Sequence, residues 1–298
     1  MSEVTRELTH AHYLHDRGGL EPLLRPPVEE PTCLSWMPGT ERLIVGSRRG
    51  QLYEVDPVMG TSVLATDLGW TTALALHPDD DRYVVLNADG GWTLGKVGGD
   101  VIASGKHGFN RRMSAFFHKD YAVLAGDAPD GRFVLVLSGG KVAARIRVPH
   151  RAIPALDDSG KLVLVRSTQA GLKIQPLTRN PRFSDEESTA HNLRAYDGSI
   201  LGFTVIGLVV WDRNDTQNTT SLRMTDLGVA SLSPDGARAA MGTRSGAVAM
   251  ARLASPEERA RPDLVRAFEG PVKAAEFASK GRWLATAGDH LVVWTWED

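Results

Sequence analysis

Apolar and polar residues alternate along most of the chain in short runs, and each run ends in Gly, Asp, Pro or Ser. Segment 227–253, LGVASLSPDGARAAMGTRSGAVAMARL, sets the pattern. An apolar strand, VASLS, meets the turn Pro234-Asp235-Gly236. The strand RAAMGT follows, then the turn Arg244-Ser245-Gly246, then the strand AVAMARL. Period-two alternation between such turns predicts β-strands, because side chains point to opposite faces in succession. The same order recurs at 32–56, 71–97 and 274–296, and in weaker form at 113–138, 152–177 and 192–212.

The first turn of each copy serves as a ruler. Its anchors are Thr40, Asp81, Asp120, Gly160, Gly198, Gly236 and Gly281. Successive spacings are 41, 39, 40, 38, 38 and 45 residues. Seven units with a period of roughly 40 residues match the blades of a propeller. The long last interval holds Ser255-Pro256-Glu257-Glu258-Arg259-Ala260, which reads as a short helix with Ser255 as N-cap and Glu258 completing a capping box. Fourth strands lie between the units: TSVLATDL, DVIASGKH, KVAARIRV, TSLRMTD and LVRAF. The unit ending near residue 177 has only TRNPRFSDEESTAH for this purpose, a polar stretch with little β character.

The seventh unit runs to Trp296-Glu297-Asp298 with no fourth strand behind it. Spare strand-like material, LTHAHYLH and GLEPLLR, precedes the first unit. A propeller must hide the edges of its terminal blades. Residues from about 8 to 25 are therefore expected to supply the outer strand of the seventh blade. The expected fold is all-β: one domain, 1–298, a seven-bladed propeller of four-stranded antiparallel blades. Residues 1–27 would close it and 28–298 would carry the repeats.

Composition fits this reading. Of 298 residues, 30 are Gly and 16 are Pro, enough for many turns. The net charge of −2 argues against nucleic acid or an anionic membrane as the partner. Cys33 is the sole cysteine, which excludes an intramolecular disulfide and a Cys-based zinc site and suits a reducing compartment. No apolar run reaches membrane-span length, and the N-terminus lacks a signal-peptide core, so a cytoplasmic location is expected.

The repeats resemble the WD-repeat family of β-propellers, in a degenerate, prokaryotic-looking form. The resemblance covers about residue 20 to 298, and SPDG (233–236), LVVWD (208–212) and LATAGDHLVVW (284–294) carry it best. It implies a blade-stabilising set: a His before the inner strand, a Ser or Thr on the second, an Asp in the next turn and a Trp on the third. Asp289 and Trp294 fit two of these places in blade seven, and Trp211-Asp212 is the one WD pair. His107, His150 and His191 lie near the His place in blades three to five. Arg49 and Ser245 stand where blades one and six would carry the Asp.

No P-loop, dinucleotide fingerprint or HExxH is present. In GSRRG the central residue is Arg48 where a nucleophile elbow needs Ser. Asp79-Asp80-Asp81 reads as turn chemistry, and His10, His12 and His15 as a terminal strand that carries histidines. Enzymatic propellers converge carboxylates on a central channel, but Glu276 is the only mid-strand carboxylate of the inner strands. No catalytic residue, metal or cofactor is expected. A lactonase-like hydrolase with a channel metal is the alternative class.

The expected role is a non-catalytic scaffold that binds other proteins, a subunit of a larger intracellular signalling, defence or assembly complex. Loops on a rigid scaffold carry such function. One set of loops gathers Arg48, Arg49, Trp70, Phe109, Asn110, Arg111, Arg112, His150, Arg151 and Arg244. Arg and aromatic residues are common interface anchors, so these are the candidate partner-binding residues. The opposite turns lean acidic.

Overall fold

The computed structural model describes residues 20–56, 59–157, 159–168, 171–179, 181, 190–196, 199–204, 207–212, 219–224, 226–253, 263–279 and 283–296. These residues form β-strands, turns and loops, grouped into seven antiparallel sheets. Among them, no helix is long and apolar enough to cross a membrane. The chain divides into two compact units. One comprises residues 1–48, 52–63 and 224–298, and the other comprises 49–51 and 64–223.

The first unit holds blades six and seven and nearly all of blade one, whose last strand passes out of it after Val63. Blade one is built from Pro31–Trp36, Leu43–Ser47, Leu52–Asp56 and Gly60–Ala65. Blade six is Leu227–Leu232, Arg238–Thr243, Ala247–Arg252 and Asp263–Arg266. Blade seven orders Ala274–Phe277, Trp283–Ala287 and Leu291–Trp296, and its fourth strand is Leu20–Leu24. The N-terminal segment thus closes the last blade, as the missing strand required. Leu20 lies opposite Trp296, and Leu24 opposite Val293. Pro22 sits where the ladder shifts register, on an edge strand that tolerates a residue without N–H. Between blades six and seven, Leu20, Phe268, Phe277, Val292 and Trp294 pack as one cluster. Between blades seven and one, Trp36 packs with Leu43, Val45 and Val293, and its indole N–H donates to the Glu276 carbonyl at 3.0 Å.

The second unit holds blades two to five. Blade two is Thr71–Leu76, Arg82–Asn87, Gly91–Lys96 and Val101–Lys106. Blade three is Arg111–His118, Tyr121–Ala128, Gly131–Ser138 and Lys141–Val148. Blade five is His191–Tyr196, Ser199–Thr204, Gly207–Asp212 and Thr219–Arg223. Blade four has three strands among the described residues, Ile153–Leu156, Leu162–Thr168 and Gly171–Pro176. This is the blade whose sequence offers no good fourth strand. Apolar clusters fill each blade junction within the unit: Trp92, Phe117 and Phe133 between two and three, Val134 and Leu164 between three and four, Val165 and Trp211 between four and five.

The repeat reaches into the hydrogen bonds. In blades one, two, three, five and six the first strand slips register against the second near its start, a β-bulge at the same place each time. The turn between strands two and three ends on a glycine whose carbonyl accepts from the linker to the next blade. Gly50 accepts from Leu68 at 3.0 Å, Gly90 from His107 at 2.8 Å, and Gly246 from Phe268 at 3.0 Å. Gly246 needs its φ of 91° and its bare Cα, because an added Cβ would collide with the Phe268 carbonyl. The ruler residues Thr40, Gly160 and Gly236 each close a first turn through their backbone N–H. Gly198, Gly281 and the helix expected at Ser255–Ala260 lie outside the described residues.

Candidate interaction surface

The candidate loop residues fall into separate local groups. The densest lies in the second unit, where blade three leads into blade four. Asp127, near the end of the second strand of blade three, is its centre. The buried Arg132 donates from Nη1 to Asp127 Oδ1 at 2.7 Å and from Nε to the Ala152 carbonyl at 2.6 Å. Arg112 Nε lies 3.7 Å from the other Asp127 oxygen, and the Asn110 N–H donates to the Asp127 carbonyl at 2.8 Å. One carboxylate therefore anchors two guanidinium groups, and the exposed Arg111 and Arg151 add to the positive field. Arg112 and Arg151 both hold φ values in the left-handed region, 49° and 64°, which costs strain for residues with a Cβ. His150 is exposed within the same group. Partial burial lowers its pKa, and the neighbouring Arg112 adds to this, so it stays neutral near pH 7.

Phe109 does not belong to this surface. It is buried, and its side chain packs against Gly126, where an added Cβ would come within 2.6 Å of the ring. The expectation of an exposed anchor fails because a linker side chain finds bare backbone beneath it. His107 is buried beside it. Its Nδ1 accepts from the Phe109 N–H at 2.8 Å, so Nε2 carries the proton and lies 3.2 Å from the Asn87 carbonyl. His107 thus occupies the linker place held by Leu68 and Phe268 in other blades. Only the spacing from the preceding glycine turn could have revealed that equivalence.

This geometry needs a neutral imidazole, and burial lowers the His107 pKa below its ordinary value. The unfolded chain then binds the proton more readily. The stabilisation is complete above the unfolded value of about 6.5 and is lost as pH falls through the lower folded value. His150 and His290, also lowered chiefly by burial, act with the same sign. Urea midpoints are expected to fall between about pH 7.5 and pH 5, and His107→Gln should flatten part of that slope. An identical slope in the variant would remove His107 from the account.

The remaining candidates lie apart from the Asp127 group in sequence. In the first unit, Arg48 and Arg244 are exposed at equivalent turns. The Arg48 N–H donates to the Glu30 carbonyl and the Arg244 N–H to the Asp226 carbonyl, both at 2.9 Å. Asp226 also accepts from the Ser245 N–H at 2.9 Å through its carboxylate, beside the place where the family resemblance expected an Asp. Arg49 and Trp70 belong to the second unit and are exposed, Trp70 at 44%.

The acidic turn of blade two is a closed ion network. Asp80 binds Arg82 at 2.7 Å, and Arg82 reaches Asp120 at 3.2 Å and His77 Nε2 at 2.9 Å. Burial pushes the Asp80 pKa up, but its hydrogen bonds to Arg82 and the charges of His77 and Arg82 together hold it below its usual value. Among the described residues no three His, Cys, Asp or Glu side chains gather as a metal site. His10, His12 and His15 lie outside those residues, and the side chain of His191 is likewise undescribed. In blade seven the Trp and Asp places make separate contacts. Trp294 donates its indole N–H to the Thr286 hydroxyl at 2.7 Å, while Asp289 contacts His290 at 2.9 Å.

No family model and no curated protein matches the chain. Solved structures do. The chain is similar to the crystal structure of the WD40 β-propeller domain of Doa1, at 13% identity over 95% of this chain and 98% of that one, with a TM-score of 0.71. It is likewise similar to the β-propeller domain of Cps50 (Swd1) from Myceliophteria thermophila, at 15% identity over 93% and 99%, with a TM-score of 0.71. The fold is the seven-bladed WD40-type β-propeller.

Proposed function

We propose that the protein is a non-catalytic, cytoplasmic scaffold that binds other proteins, with residues 1–298 acting as a single domain in a larger signalling, defence or assembly complex. The observation that carries this reading is the Asp127-centred group. Buried Arg132 and the Asp127 carboxylate hold the loops of blades three and four in place, and Arg111, Arg112 and Arg151 project from them. A rigid support with strained, exposed Arg residues keeps the ordering cost of binding low. The mechanism is multivalent presentation of fixed loops, with Arg48, Arg49, Trp70 and Arg244 as further contact points. The WD40 propeller fold is widely used in this way, which supports the class and not the partner.

Paired charge reversal tests it. Arg111→Glu with Arg112→Glu should leave circular dichroism unchanged and reduce recovery of at least one native partner about ten-fold or more in quantitative pull-downs. Full retention of every partner would remove this loop group from the interface.

A further inference from the structure

Blade three is far more basic than the rest of the chain. Residues 106–151 contain nine Lys or Arg against three Asp and no Glu, within a chain whose net charge is −2. Part of this excess sits on its fourth strand, Lys141–Val148, the last strand of its sheet. Arg145 and Arg147 are exposed there. They pair across the ladder with Leu135 and Phe133, which belong to the cluster shared with blade two, so both point toward that blade. The Arg145 guanidinium lies 4.3 Å from the Phe133 ring centre, and Arg147 donates to the Asp130 carbonyl at 2.8 Å. Among the described residues neither forms an ion pair with a carboxylate.

The facing wall is the fourth strand of blade two, Val101–Lys106, with Ile102 47% exposed. Beneath Gly105 of that strand lies Trp92, whose buried indole N–H has no hydrogen-bond partner. At the turn end, a recess of about 130 Å³ opens between the blades, lined by Ile102, Phe117 and Leu137 and by Arg82 and Asp120, whose charges pair with each other at 3.2 Å. Gly139 and Gly140, at φ 53° and 76°, turn the chain beside it without side chains to fill it. An apolar cavity of about 150 Å³ admits a benzene ring, so this recess suits one aliphatic side chain and excludes a cofactor.

We propose that the groove between the fourth strands of blades two and three binds an extended acidic segment of a partner protein. An aliphatic side chain enters the recess, and carboxylates at alternate positions meet Arg145 and Arg147. Charge complementarity selects an acidic occupant. The edge strand offers main-chain groups to an extended peptide, and residues of one face recur at the same two-residue step as the arginines. A nucleic acid fits less well, because base stacking needs open rings, and Arg145 covers Phe133. The inference rests on the scaffold reading but uses a surface other than the Arg111–Arg112 loop.

The test selects a displayed library of short peptides, with Asp or Glu fixed at every second position, against the immobilised full chain. Enriched peptides are expected to share a Leu, Ile or Val at one place. Arg145→Glu with Arg147→Glu, and separately Ile102→Asp, should each weaken their binding about ten-fold or more, with melting temperature unchanged. Arg145→Lys with Arg147→Lys should keep most of it. No enrichment over the unselected library overturns the inference. So does equal binding to the charge-reversed chain, or tighter binding of a single-stranded oligonucleotide at the same arginines. Loss of peptide binding through Arg111→Glu with Arg112→Glu alone would overturn the groove while leaving the scaffold reading intact.

Discussion

Removal of residues 1–25 is expected to lower the melting temperature by roughly 10 °C or more. The segment contains Leu20–Leu24, which pairs with Leu291–Trp296. Leu20 is 1% exposed and packs on Trp294 and Val292. Its burial contributes about 2–3 kcal/mol, and each lost ladder hydrogen bond adds about 1 kcal/mol. For a large domain each kcal/mol moves the midpoint by about 2–4 °C. The truncated chain also exposes the long apolar edge Leu291–Trp296, so it should aggregate on heating. Leu20→Asp should reproduce a large part of the shift, since it places an unpaired charge in the same cluster. Scanning calorimetry of the three proteins decides the matter. A truncation that melts with the full chain would mean that the closing strand adds no stability.

Trp294→Ala should cost about 3–5 kcal/mol, also about 10 °C or more. The ring is fully buried between blades six and seven, and its N–H is satisfied by the Thr286 hydroxyl at 2.7 Å. Thr286→Val separates the two contributions. It keeps the shape of the side chain and orphans the indole N–H, a loss of about 1–3 kcal/mol. Denaturant midpoints are expected in the order wild type, Thr286→Val, Trp294→Ala. A neutral Thr286→Val would mean that packing alone holds the blade.

The architecture was legible because it repeats. Bulge, turn and linker recur at a common spacing, and local chemistry at each turn is strong enough to show in one sequence. The closing strand was legible because GLEPLLR has strand character outside all seven units, and Leu20–Leu24 within it pairs with Leu291–Trp296. The interaction surface was less legible. Phe109 reads as an exposed aromatic in a polar linker just ahead of Arg111 and Arg112, and only the bare Gly126, on another strand, decides that it is buried. Arg145 and Arg147 in KVAARIRV read as the solvated face of an outer strand. Their direction toward blade two depends on a register that the bulge near Leu137 shifts. Asp289 fits its family place by sequence, yet it turns to His290, while the Trp294–Thr286 bond forms without it. A residue can thus keep its place in the repeat and change its contact.

The closure of blade seven also sets an order of events during synthesis. Leu20–Leu24 leaves the ribosome roughly 270 residues ahead of its partner strand Leu291–Trp296. At translation rates of about 5–20 residues per second the wait is on the order of tens of seconds. Throughout that time Leu20 has no strand beside it, and blade seven cannot be completed. Among the described residues this sheet holds the most non-local strand pairing, the step with the largest loop-closure entropy and the natural point for a chaperone to hold the nascent protein.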